Sequence, residues 1–505
     1  MWWPPPAFAR AAQVGDDEAI AVLRDAVRDA EQRQAYREAL TILSSLAELL
    51  PSGDERWLDA ANALSNQAKW VYRGPSQAAM GIRAMREIRA ALERSPDLAR
   101  RATINFRLAT FLAFGTGDLE EAEHACGEAV ELYRQAGDRS RMLLAANELA
   151  SIRALAGDVA AWEAGAREVV EAAEAAGERY VMMESLGTLA IAAAHRGRFE
   201  ECESAFRRNV AIASEVAKPH SLTMSLTALA SCLSWEGKVE EALPLLERAR
   251  AVNPRWRESL LLEWGIFTYW MAGDLAAVLA NADEVGTIGK RGGHSMHFAA
   301  LAATEMGQLD RARRYLAKAQ TAYGDKDWFV YTDFGLYVGA FVAWRGGVNG
   351  ESLAALERVA DKLLQLGVLP YAGWVLVDLA EMSAASGEHD LAVASARRLE
   401  DVAERIDREF YRALAGIGTA WSKLVAGDPR QAAEAASTAL AFLSGCGCQA
   451  FLGRASDVLG RALAGRDDTT ARAALQQAAA TFDTCGAVWR RDRALAVLGT
   501  LDAGS

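Results

Sequence analysis

Two histidines and two cysteines have spacings that could support metal chemistry. His294 and His297 are three residues apart, so on a helix both imidazoles share one face and could bind a metal ion. They can also be two polar residues that begin a helix beside a glycine-rich segment, and we adopt this second interpretation. Cys446 and Cys448 are too close together for a zinc knuckle and have no second pair nearby, so we predict that they pack a helical corner. No metal and no cofactor are expected.

Motifs of catalysis and of nucleotide binding are missing from the sequence. The glycine-lysine pairs that begin at Gly237 and Gly289 continue with valine and arginine, not with the serine or threonine of a phosphate-binding loop. The sequence contains no H-E-x-x-H or G-x-S-x-G motif. It also has no strand pattern that could precede a dinucleotide-binding glycine turn. These absences favour a non-catalytic protein.

The composition is that of an acidic globular protein. The 505 residues include 51% hydrophobic and 24% charged residues, and the net charge at pH 7 is −12. An acidic chain repels the phosphate backbone, so no nucleic-acid partner is expected. No apolar stretch reaches the roughly 20 residues of a membrane span, and residues 1–6 lack the order of a secretory signal. We expect a cytoplasmic protein without membrane contact, whose six cysteines are reduced.

A glycine turn recurs along the chain, and it defines the elements that must carry any site. Each turn is a glycine followed by a polar and usually an apolar residue, as in Gly157-Asp158-Val159. The intervals are first 40 residues, then 36 and 34, then 40 again and finally 38. The turn glycines are Gly117, Gly157, Gly197, Gly237, Gly273, Gly307, Gly347, Gly387, Gly427 and Gly465. Such a period is typical of a repeat protein.

Each glycine turn lies between two helical patterns. Before Gly157, residues 141–156 place leucine and isoleucine near helical spacing, and a glycine can end that helix because it adopts positive φ. Asp158 can then cap a second helix, which runs to about Ala176. A small residue follows most turn glycines by five positions, as Ala122 does, and lets the two helices approach closely. The unit is predicted to be an antiparallel helical hairpin with a period of about 40 residues.

The small residues in these positions resemble the tetratricopeptide repeat (TPR). Most units are about six residues longer than the standard TPR, and the proline that usually ends it is missing. The longer period and the ending at 486–495 resemble the repeat region of bacterial maltose-regulator and LuxR-type signal-transduction ATPases and of cyclase-associated ATPases, over roughly residues 7–500. The resemblance implies an all-α, right-handed TPR-like superhelical solenoid that receives a ligand or protein signal. The ATPase and cyclase domains of those relatives are not found in this sequence.

The repeat pattern divides the chain into four parts. Residues 1–6 are predicted to be an irregular, polyproline-type lead-in. Residues 7–100 are read as divergent N-terminal hairpins without the clean glycine turn. Residues 101–285 form regular hairpins, and residues 286–505 continue the solenoid after a glycine-rich joint at 286–293.

The resemblance also predicts a binding groove. In a TPR superhelix the first helix of each hairpin lines the concave face, at about thirteen, ten, six and three residues before the turn glycine. Between residues 256 and 344 the chain has 15 aromatic residues in 89, about twice its average share of 8%. The predicted groove residues are Glu263, Phe267, Trp270, His294, His297, Phe334, Tyr337, Phe341, Trp344, Trp374 and Glu381. The alternative is that many of these rings pack between neighbouring hairpins.

Three functions are compatible with these features. The first is a non-catalytic scaffold that recognises a protein or peptide, in bacterial regulation, because an array of hairpins forms an extended binding surface. The second is a receptor for an apolar, aromatic or cationic small molecule that uses the aromatic groove. The third is an enzyme in which the rings, the histidines and the two glutamates stabilise a cation or move a proton. Homo-oligomers are compatible with the sequence, because the terminal hairpins lack a polar cap.

Overall fold

The chain is an all-α, TPR-like solenoid of antiparallel hairpins, as predicted. The computed structural model describes residues 15–32, 36–50, 92–216, 219–252, 262–285, 289–323 and 329–503, with a few positions between 56 and 90. All regular secondary structure in these residues is helical. The predicted lead-in at 1–6 lies outside the described residues, as does most of 51–81.

The described helices follow one another with short connections. The helices before Gly237 are α1 (Asp17–Gln32), α2 (Tyr36–Leu49), α3 (Leu98–Phe111, continued by a π-helical turn over Leu112–Thr116), α4 (Leu119–Gln135), α5 (Arg139–Leu155), α6 (Val159–Ala176), α7 (Arg179–His195), α8 (Phe199–Val216) and α9 (Pro219–Trp235). The helices after Gly237 are α10 (Val239–Val252), α11 (Leu262–Ala272), α12 (Leu275–Val285), α13 (Gly289–Glu305), α14 (Leu309–Tyr323), α15 (Tyr331–Arg345), α16 (Asn349–Gln365), α17 (Leu369–Ser386), α18 (His389–Ile406), α19 (Glu409–Val425), α20 (Pro429–Leu443), α21 (Gln449–Leu463), α22 (Asp468–Cys485) and α23 (Val488–Ala503).

Each hairpin from α3 onward pairs an odd-numbered helix with the even-numbered helix that follows it. Gly157 ends the first helix of one unit with a φ of 89°, a conformation that favours glycine. The side chain of Asp158 accepts a hydrogen bond from the backbone N–H of Ala161 at 2.9 Å and so caps α6. The glycine and the aspartate therefore act as the sequence predicted. The second helix of each hairpin also packs against the first helix of the next.

The glycine-rich segment before α13 is partly helical. Gly289, Gly292 and Gly293 lie within α13, while Gly286 lies outside the described residues. The side chains of residues 284–292 are likewise outside the described part.

The solenoid coils tightly, so that its successive superhelical turns touch. Helices ten apart along the chain are in contact: α7 with α17, α11 with α21, and α13 with α23. The π-helical end of α3 contacts α13 at the same separation. Since each unit has two helices, about five hairpins complete one superhelical turn.

Three of the glycine turns, at Gly197, Gly237 and Gly273, are points where one superhelical turn meets the next. A Cβ atom on Gly237 would lie 2.9 Å from Cδ2 of Phe410, at the start of α19. A Cβ atom on Gly273 would lie 2.5 Å from Sγ of Cys485. The backbone N–H of Val239 also donates a hydrogen bond to the carbonyl of Cys446 at 3.2 Å, across the same junction. Glycine is therefore required for close approach as well as for positive φ.

Candidate functional site

A cluster of aromatic rings fills the interior where two superhelical turns meet. Trp235 of α9 stacks on Trp374 of α17, with ring centroids 4.3 Å apart and an interplanar angle of 7°. Phe267 and Trp270, both on α11, approach the same indole at 5.2 and 5.4 Å. Tyr371 meets Trp235 edge-on at 4.8 Å. We call this group the aromatic core; its members are Trp235, Phe267, Trp270, Phe298, Phe334, Tyr371 and Trp374.

The two predicted histidines lie at one end of the aromatic core. The ring of His294 has Phe298, Phe334 and Tyr331 within 5.0 to 5.1 Å. Its Nε2 lies 3.4 Å from the hydroxyl of Tyr371, while its buried Nδ1 has no hydrogen-bond partner. His297 is 6.2 Å from His294, centroid to centroid. Both histidines lie on α13, which begins at Gly289, so they lie buried within the helix and do not begin it, contrary to the prediction from the sequence.

Burial controls the protonation of these histidines. It lowers the pKa of His297 to about 3. Burial also places the pKa of His294 well below its ordinary value, and the neighbouring His297 and His195 lower it further. Both imidazoles are therefore neutral at pH 7. No group of three or more His, Cys, Asp or Glu residues suited to a metal ion occurs in the part of the chain that the structure describes.

A buried network of charges lies at the other end of the interior. The carboxylate of Glu381, on α17, forms ion pairs with the guanidinium groups of Arg490 at 2.8 Å, Arg454 at 2.9 Å and Arg493 at 3.2 Å. Burial opposes ionisation of Glu381, but the three guanidinium groups outweigh it and hold the carboxyl pKa well below its usual range. Glu381 is thus an ionised anchor for α21 and α23.

Two further carboxylates complete this network. Asp378 accepts hydrogen bonds from the hydroxyl of Tyr337 at 2.7 Å and from Arg454 at 2.8 Å. Glu305 lies 2.9 Å from Nε of Arg490. The pKa of Glu305 is raised by its burial, although Arg490 partly offsets the effect. The contacts join residues that are 41 to 185 positions apart in the sequence.

A partly open cavity lies between the rings and the charges. The centre of a water molecule can move through about 30 Å³ of it, which is room for about two waters. Trp270, Tyr337, Phe341 and Trp374 line its apolar side. Its polar side is lined by Glu305, Asp378, Arg454 and Arg490.

The structure brings most of the predicted groove residues into this interior. Eight of them are buried: Phe267, His294, His297, Phe334, Tyr337, Phe341, Trp374 and Glu381. Trp270 and Trp344 are half-buried, and both pack against the core. Glu263 lies on α11, but its side chain is outside the described residues. Their common role in binding remains a prediction.

The sequence did not identify the partners of these residues. The missed members of the interior are Trp235, Phe298, Tyr371, Asp378, Phe451, Arg454, Trp489, Arg490 and Arg493. Their signal is weak because these partners come from helices two to ten positions apart along the chain, at no constant interval that the repeat could display. Trp489 and Arg490 do lie in the 486–495 ending, but nothing local to that ending indicates contact with Glu381.

Comparison with known proteins supports the repeat assignment. Residues 181–255 match the tetratricopeptide repeat family. No curated protein matches the sequence at a significant level. No helix among the described residues is both long and apolar enough to cross a membrane.

Several solved structures align with this chain at low sequence identity. The APC/C hetero-tetramer Cut9-Hcn1 is 11% identical, with 97% of this chain and 98% of that chain covered and a TM-score of 0.43. Aspartyl phosphate phosphatase F from Bacillus subtilis is 14% identical, with coverages of 63% and 91% and a TM-score of 0.43. A Rap protein complexed with Competence and Sporulation Factor is 12% identical, with coverages of 77% and 99% and a TM-score of 0.41. The helical hairpins of the fold and the tetratricopeptide match over residues 181–255 together identify the chain as a TPR-like helical-repeat protein.

Proposed function

We propose that this protein is a non-catalytic, TPR-like scaffold that recognises a protein or peptide partner in the bacterial cytoplasm, as part of regulation. The resemblance to the repeat regions of bacterial regulators supports a regulatory role in a bacterium. The aromatic core packs against itself, so a partner must bind mainly through other surfaces. One departure from the repeat pattern supports such a surface on α15.

Leu336 of α15 is exposed where the repeat normally buries its residue. It lies eleven positions before its turn glycine and is 56% exposed. The residues at the same offset in four other units are at most 3% exposed: Leu186, Leu226, Met296 and Leu376. A single exposed leucine is ordinary on a protein surface, but a departure from the repeat's own packing is informative.

The connection before α15 explains the exposure. Residues 324–330 join α14 to α15, whereas only residues 177–178 join α6 to α7. Within the longer connection Val330 adopts a φ of 63°, which is unfavourable for a β-branched residue. The packing of α15 on α14 is correspondingly less extensive than that of α7 on α6. Leu336 is therefore available as an apolar anchor point for an amphipathic helix or an extended apolar peptide.

Affinity purification from the source organism tests this proposal. We expect a partner to be retained by the wild type and lost by Leu336→Asp, because a carboxylate cannot be buried in an apolar contact without a large penalty. Leu495→Asp is the matched control, since Leu495 is also exposed, at 44%, and lies on α23. Unfolding midpoints of both variants should equal that of the wild type. A partner retained equally by Leu336→Asp would refute the proposed surface.

A small-molecule receptor is the second candidate, and the cavity between the rings and the charges favours it. Trp374 is 2% exposed, lines the cavity and has an indole N–H without a hydrogen-bond partner. A ligand larger than two waters would have to displace neighbouring side chains. Native mass spectrometry of gently purified protein tests this idea. A bound mass that Trp374→Phe removes would support the receptor, and a bare polypeptide mass would refute it.

A further inference from the structure

Three arginines surround a single tryptophan at the start of α23. The guanidinium carbon of Arg345, from α15, lies 3.7 Å from the ring centroid of Trp489. Those of Arg493 and Arg490 lie 4.8 and 5.0 Å from the same centroid. Trp344 meets this indole edge-on at 5.8 Å. Cation–π contacts of this kind hold the guanidinium groups in place.

The carboxylates of the region do not balance these charges. Glu305, Asp378 and Glu381 are matched by Arg454, Arg490 and Arg493 in the network described above. The nearby Asp457 is already paired with Arg461 at 3.0 Å. Arg345 is thereby left as a surplus positive charge. Among the described residues no carboxylate pairs with it, and its Nε is buried without a hydrogen-bond acceptor.

The surroundings of Arg345 disfavour an uncompensated cation. Burial lowers its pKa to about 10, and the like charges of Arg490 and Arg493 contribute further, although the Glu305 carboxylate opposes the shift. A half-buried guanidinium with an unused donor is costly because hydrogen bonds to charged groups are among the strongest that a protein forms. The surroundings of Arg345 therefore lack one negatively charged group whose oxygens could accept hydrogen bonds from its guanidinium.

We propose that Arg345, supported by Arg493 and Trp489, forms a binding site for one oxyanion, a carboxylate or a phosphate group. A planar guanidinium can bind either group through two parallel hydrogen bonds. The site adjoins the cavity, because Phe341 lines the cavity and lies one helical turn before Arg345, and Arg490 belongs to both. A small apolar acid with its charged end at Arg345 would direct its tail towards this cavity, and a tail larger than two waters would displace neighbouring side chains. This site is independent of the surface at Leu336.

Thermal unfolding in different anions tests the site. The unfolding midpoint is measured at pH 7.5 and constant ionic strength while chloride is replaced stepwise by inorganic phosphate or by acetate. A saturable rise yields an apparent dissociation constant, because an anion that binds only the folded state stabilises it. We expect Arg345→Gln to weaken that affinity about tenfold or more, and Arg345→Lys to weaken it less, because lysine keeps the charge but not the planar fork.

The control is Arg314→Gln, which removes an exposed arginine of α14 with no ion pair among the described residues. It should respond to both anions as the wild type does. Equal responses of the wild type and Arg345→Gln would overturn the proposal, as would an equal loss in Arg314→Gln.

Titration with phenylacetate distinguishes the sources of the oxyanion. Binding tighter than acetate indicates an apolar acid that reaches the cavity, and equal binding indicates a free ion or an exposed group of a partner.

Discussion

The contact between superhelical turns predicts that two similar glycines differ in their tolerance of alanine. Gly237 and Gly427 both end the first helix of a hairpin, with φ of 78° and 77°. A Cβ atom on Gly237 would lie 2.9, 3.0 and 3.0 Å from three carbons of Phe410, below the 3.5–4.0 Å optimum for carbon contacts. A Cβ atom on Gly427 would meet nothing within 4 Å.

The magnitude follows from two separate penalties. Alanine in the left-handed region costs about 1–2 kcal/mol, and both variants incur this cost. Gly237→Ala also overpacks the junction, which typically costs about 1–3 kcal/mol. We therefore expect Gly237→Ala to lower the free energy of unfolding by about 1–3 kcal/mol more than Gly427→Ala does.

Urea denaturation followed by circular dichroism measures this difference, from the midpoints and slopes of the two variants and the wild type. The change Gly237→Ala is then repeated in a Phe410→Ala background, where the clash is absent and only the cost of positive φ remains. Equal destabilisation by Gly237→Ala and Gly427→Ala, or full additivity of the double variant, would show that the turns do not pack at this junction.

The other predictions concern the buried interior. Stability should fall as the pH drops below about 6.5, because the folded-state pKa values of His294 and His297 lie below the unfolded value, so the unfolded chain binds more protons. Each buried histidine should cost the protein about 2 kcal/mol of stability between pH 6.5 and pH 5. Burial also lowers the pKa of His195 and of His220 to about 4, so His297→Gln should remove about a quarter of the histidine dependence in urea midpoints measured against pH. Glu381→Gln should cost about 3–5 kcal/mol at pH 7, since it leaves buried arginines without their carboxylate, and an unchanged denaturation midpoint would contradict the network. Trp374→Ala should cost about 3–5 kcal/mol by calorimetry or denaturation, whereas a loss below 1 kcal/mol would place the ring outside the core.

The sequence could indicate which residues of the candidate site share a helix face, but it could not indicate whether that face is an open groove or a buried interior. The offsets from the turn glycines predicted residues such as Phe334 and Trp374 for one face of the first helices, and both rings lie in the aromatic core. They could not distinguish an open groove from an interior, because the same inward face serves both when the pitch of the superhelix is unknown. Glu381 illustrates the limit: its helix face was predictable, whereas its bonds to Arg490 and Arg493 were not.

The sequence by itself determined the hairpin, its period and the glycine turns, since these depend on local preferences for φ, on capping and on helical spacing. Only the tertiary structure decided that Trp235 stacks on Trp374 and that Gly237 meets Phe410. These contacts span well over a hundred residues, and they depend on how small packing angles between successive hairpins add up over five units. Each angle is set by side-chain volumes at a helix interface, so the pitch becomes definite only when the whole coil is packed.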